Sequence, residues 1–72
     1  MQQGQQAFQK GDIEAAVRFF DEATKSLPRR AEAWLNLGIA RVKNGAPESG
    51  LVALESAIEL SPDIMLAHMA VG

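Results

Sequence analysis

Apolar positions recur along this chain at helical spacing, and each run stops at a glycine or a proline. From Asp12 to Leu27, the residues Ile13, Ala16, Val17, Phe20, Ala23 and Leu27 advance in steps of three and four. Such steps place them on one face of an α-helix. Gly11 suits the left-handed residue that closes an earlier helix, and Asp12 suits the N-cap of the next. From Ala31 to Asn44, Trp34, Leu37, Ile39 and Val42 stand among polar residues until Gly45. Pro47 then fits the first turn of a further helix, which runs through Leu51, Leu54, Ala57 and Ile58 to Leu60. Ser61-Pro62-Asp63 breaks the chain again, with Asp63 where a helix start favours negative charge. No alternating strand pattern of useful length occurs. The spacing predicts an all-α chain of five helical segments joined by turns of two to four residues.

Composition narrows the chemistry. Seventy-two residues make one small domain, and a core of that size is marginal. Hydrophobic residues at 47% and charged residues at 22% are ordinary for a globular chain, which argues against disorder. With no cysteine and one histidine, zinc sites and disulfides are set aside. Seven basic and nine acidic residues give a net charge of −2, unsuited to nucleic acid or an anionic membrane surface. No apolar run reaches the roughly 20 residues that span a bilayer, and the Gln-rich start is no signal peptide.

The breaks also repeat. Gly4 and Gly38, Gly11 and Gly45, and Pro28 and Pro62 are each 34 residues apart. Glu14/Glu48, Ala23/Ala57, Ala33/Ala67 and Gly38/Gly72 keep that offset, and Val17/Leu51, Phe20/Leu54 and Leu37/Val71 add apolar matches. A 34-residue period holding two helices points to an antiparallel hairpin stacked on its neighbour.

These residues resemble the tetratricopeptide repeat family, whose pattern is W-x2-L-G-x2-Y, then A-x3-F, then proline. Trp34-x2-Leu37-Gly38 and Ala57 to Pro62 fit one complete unit over 31–64. Ala16-x3-Phe20, Ala23 and Pro28 fit the second half of a partial unit over 1–30, and His68-x2-Val71-Gly72 opens a third over 65–72. The resemblance implies an α–α superhelix of about two repeats. Two places depart from the pattern. Arg41 stands where the family has an aromatic residue, and Gly50 and Leu54 replace its usual alanine and aromatic pair. Helix propensity at the first of these predicts that Gly50→Ala stabilises the fold by about 0.5–1 kcal/mol. The physics of the hairpin agrees with the family: small residues at Gly38 and Ala57 let two helices approach, with Trp34 and Leu37 filling the groove between them.

Catalysis finds little to work with. His68 is the single candidate base, and Met65, Leu66, Met69 and Val71 around it favour a packing role. Asp21, Glu22, Glu55 and Glu59 read as a solvated outer face rather than a carboxylate pair. Lys25, Arg29 and Arg30 cluster where a helix C-terminus favours positive charge. Residues 31–72 hold two basic and five acidic side chains, which argues against RNA. The expectation is a chain with no catalytic residues, no cofactor and no metal, whose partner is a protein or peptide.

The resemblance places a concave groove on the first helix of each unit. By register its lining is Gln2, Gln5 and Gln9, then Glu32, Leu35, Asn36, Ile39 and Lys43, then Leu66, Met69 and Ala70. Amides there can hydrogen-bond an extended backbone, while Leu35, Ile39 and Met69 offer apolar contact. The family's carboxylate clamp for acidic chaperone tails is matched at Asn36 alone, since Met1, Gln5, Leu66 and Ala70 hold its other places. The groove is therefore expected to take a neutral or apolar peptide. The incomplete ends imply a second expectation, self-association through Met65, Leu66, Met69 and Val71, which carry few polar neighbours. A structural spacer without a ligand of its own is the competing reading.

Overall fold

The computed structural model describes residues 2–64, and these form four α-helices. They are α1 (Gln2–Gln9), α2 (Ile13–Ser26), α3 (Ala31–Lys43) and α4 (Pro47–Leu60). α2, α3 and α4 lie within a residue or two of the segments their apolar spacing predicts, α1 is the earlier helix that Gly11 closes, and no strand occurs among the described residues. The fifth expected segment, from Ile64 to Val71, lies beyond the described residues except for Ile64.

The turns follow from glycine. Gly11 and Gly45 both have φ of 85°, a region that side chains with a Cβ rarely occupy. After α1, the N–H of Gly11 donates to Phe8 O and that of Asp12 to Ala7 O. After α3, Gly45 N donates to Val42 O and Ala46 N to Arg41 O. Both are Schellman closures, in which two otherwise orphaned carbonyls gain donors. Asp12 then starts α2, accepting a hydrogen bond from Ala15 N at 3.2 Å. Pro47 occupies the first turn of α4, where its missing N–H costs nothing. Between α2 and α3, the indole Nε1–H of Trp34 donates to Pro28 O at 2.8 Å and ties the turn to the helix that follows it.

The helices pack chiefly on their neighbours in sequence: α1 on α2, α2 on α3, α3 on α4. The core is built from small residues, with Ala16, Ala33, Ala40, Ala53 and Ala57 fully buried and Phe20 and Leu37 supplying bulk. Burying a side chain the size of Phe20 stabilises the fold by roughly 1.5–3 kcal/mol. Thr24, buried on α2, donates its hydroxyl to Asp21 O at 2.7 Å, so it leaves no polar group unmade.

Close helix approach rests on glycines. At Gly38 an added Cβ would stand 2.6 Å from Leu54 Cγ and 2.9 Å from Gly50 O, so Leu54 fills the notch that Gly38 leaves. Gly50 is packed as tightly, with 2.5 Å to Val42 Cγ2 and 2.7 Å to Gly38 O for the same construction. The sequence expectation for Gly50→Ala is thereby corrected. Propensity favours alanine, but backbone from α3 occupies the space its methyl group needs. Ala57 is also fully buried, and Gly38 and Gly50 face each other where α3 and α4 approach closely. Arg41, at the place of the family's aromatic, is half-buried and reaches back to Asp21 on α2 at 3.6 Å. Asp21 also pairs with Lys25 at 3.3 Å.

Candidate peptide groove

Three faces meet in a cavity of about 470 Å³ lined by Gln5, Phe8, Gln9, Phe20, Asn36, Ile39 and Lys43. On α1, Gln5, Phe8 and Gln9 stand at i, i+3 and i+4, so they share one face. On α3, Asn36, Ile39 and Lys43 repeat that spacing at i, i+3 and i+7. Phe20 of α2 closes the floor at 2% exposure. Gly4 explains how the floor fits: a Cβ there would come within 2.5 Å of the Phe20 ring, so α1 lies directly against it.

Polar and apolar groups are sorted around this cavity. Phe8 and Ile39 are half-buried, whereas Gln5, Gln9 and Lys43 are exposed at its edge. The ammonium of Lys43 sits 5.9 Å from the centroid of the Phe8 ring, at the outer reach of a cation–π contact. Such a wall offers donors and acceptors to a backbone, apolar surface to a side chain, and one cation. No group of three or more His, Cys, Asp or Glu that could hold a metal ion occurs among the described residues.

Five of the residues expected in the groove are brought together: Gln5, Gln9, Asn36, Ile39 and Lys43. Leu35 is not among them. It is buried at 2% exposure, so its side chain belongs to the core and offers a ligand no surface. Glu32 is exposed outside the cavity and faces Arg30 at 3.8 Å. Leu66, Met69 and Ala70 of the groove, with Met65 and Val71 of the self-association surface and His68, lie outside the described residues. Two lining residues were missed from the sequence. The apolar spacing marks Phe20 as a packing residue, which it also is, and Phe8 shares the i, i+3, i+4 face of Gln5 and Gln9.

Stacked antiparallel hairpins with a groove between their first helices define a helical-repeat protein. The model of the family described as Tetratricopeptide repeat matches residues 1–63, and the chain belongs to that family. It is similar to the PEX5-related protein of Rattus norvegicus, 33% identical over 69 residues, covering 96% of this chain and 12% of the relative. It is also similar to the Peroxisomal targeting signal receptor of Pichia angusta, 38% identical over 60 residues, covering 83% of this chain and 10% of the relative. Peroxisome biogenesis protein 5 of Arabidopsis thaliana is 28% identical over 72 residues, covering all of this chain and 10% of the relative. The chain thus spans about a tenth of the length of the curated relatives it matches. No solved structure matches it. Family membership makes it a protein-interaction module. No helix among the described residues is long and apolar enough to cross a membrane.

Proposed function

We propose that the chain captures an extended, largely apolar peptide segment of a partner protein in the groove between α1 and α3. The observation that carries this reading is the cavity lined by Gln5, Gln9, Asn36, Ile39 and Lys43 over the rings of Phe8 and Phe20. An extended peptide leaves its backbone amides open, and glutamine side chains both donate and accept, so Gln5 and Gln9 suit its main chain. Ile39 and Phe8 suit its side chains. The relatives named Peroxisomal targeting signal receptor are receptors of a targeting signal by name, and a similar role in signal capture by the longer array is part of this proposal. Fluorescence polarisation against a library of labelled peptides tests it. At a temperature where all are folded, binding should fall on Gln5→Ala and on Ile39→Ala, with the thermal midpoint unchanged for exposed Gln5 and somewhat lower for half-buried Ile39. Equal binding by wild type and both variants would refute a role for the groove.

A second reading, assembly through a repeat end, is favoured by the outer surface of α4. There Leu51, Ile58 and Leu60 are 55%, 42% and 42% exposed, whereas Val17 and Thr24, which stand 34 residues before Leu51 and Ile58, are half-buried and buried. Sedimentation from micromolar to millimolar concentration tests it. Leu51→Glu should lower any association, and a monomer throughout would exclude it.

A further inference from the structure

Among the described residues the groove carries one charge, that of Lys43, and no ion pair includes it. None of the ion pairs among the described residues, Lys25–Asp21, Arg30–Glu32 and Arg41–Asp21, includes Lys43. No carboxylate lines the cavity among the described residues. The ammonium stands 5.9 Å from the centroid of the Phe8 ring, and a ring quadrupole attracts a cation without neutralising it. An unneutralised cation at the rim of an amide and apolar groove, in a chain of net charge −2, is a feature of the groove itself rather than of a basic surface.

Its distance from the apolar wall is matched by one peptide spacing. In an extended peptide, side chains two residues apart point the same way and stand about 6.5–7 Å apart. The ammonium stands 5.9 Å from the ring that a bound apolar side chain would cover. We propose that Lys43 makes the groove select a peptide with an acidic side chain two residues from a large apolar one, the apolar group over Phe8 and Ile39 and the carboxylate on the Lys43 ammonium. This rests on the groove reading above and names its ligand class. An internal acidic side chain is the favoured source of the carboxylate. In the groove reading Gln5 and Gln9 serve the main chain of a segment that runs through the cavity, which leaves the Lys43 ammonium as the charged donor for a side chain of that segment.

The test uses pools of fluorescent hexapeptides with Leu or Phe at the third position and an amidated C-terminus except where stated. One pool has Glu at the fifth position and one has Gln, and a third pool has Gln there with a free C-terminal carboxylate. The Glu pool should bind about three- to tenfold tighter than the Gln pool, the size expected for one partly exposed charge pair. Lys43→Gln should erase that difference, Lys43→Arg should keep it, and both should retain the wild-type thermal midpoint, because Lys43 is exposed and joins no ion pair. Equal binding of Glu and Gln pools would overturn the inference while leaving the groove reading intact. A preference for the free terminus alone would overturn the internal acidic side chain as ligand. Binding of no pool would overturn the groove reading beneath it.

Discussion

Adding one methyl group at Gly50 sets two effects against each other, and the structure decides which wins. In a helix interior, alanine is favoured over glycine by about 1 kcal/mol. At Gly50 the new Cβ would meet Val42 Cγ2 at 2.5 Å, Gly38 O at 2.7 Å and Val42 N at 3.0 Å. Two of these three atoms are backbone of α3 and cannot rotate away. Relief therefore requires α3 and α4 to part, loosening Leu54 in the notch above Gly38. Overpacking of this kind costs roughly 1–3 kcal/mol, and immobile backbone places it toward the upper end. The net expectation is destabilisation by about 1–2 kcal/mol, which for a domain this small lowers the thermal midpoint by roughly 5–15 °C. Circular dichroism at 222 nm during heating reads it, with Ser56→Ala as the control. Ser56 is a half-buried α4 residue whose hydroxyl donates to Val52 O at 3.3 Å, so its loss changes little. Combining Gly50→Ala with Val42→Ala should recover part of the loss, since the Val42 methyl is removed but Gly38 O remains. A midpoint for Gly50→Ala at or above wild type would refute the close-approach argument and restore the propensity one.

Three further outcomes are expected. Gly45→Ala should destabilise by about 1 kcal/mol, because φ there is 85° with nothing within 4 Å of an added Cβ, so the cost is conformational and Gly45→Asn should cost less; denaturant midpoints check both. Asp12→Ala should cost about 0.5–2 kcal/mol through loss of the α2 N-cap, visible as faster amide exchange at Ala15. Asp21→Asn should cost under about 1 kcal/mol, since its contacts to Lys25 and Arg41 are partly exposed, and high salt should abolish the difference from wild type in the same thermal melt.

The helices were readable because punctuation and period agreed: Gly11, Gly45 and Pro47 sit where turn geometry requires them, and the apolar steps between them are helical. What the linear pattern does not carry is which neighbour faces a given residue across a hairpin. Gly50 looked like a weak helix residue because propensity is local, whereas its constraint comes from Gly38 and Val42 on another helix. Leu35 followed the register of the groove residues, yet one helical position separates an exposed wall from a buried one, and Leu35 fell on the buried side. Phe20 was legible as an apolar core residue, and the same ring also floors the cavity, a double use that periodicity does not distinguish.

Sequential packing of α1 on α2, α2 on α3 and α3 on α4 has a kinetic consequence. Every major contact closes a short loop, so the search during folding is local and its entropic barrier is low. Folding on the microsecond-to-millisecond scale follows, limited by docking of adjacent helices rather than by assembly of distant segments. The two groove walls, α1 and α3, are not consecutive, so a ligand lying between them bridges elements that the free chain joins mainly through α2. Binding should therefore slow the escape of α1 from the array more than it slows the escape of α4.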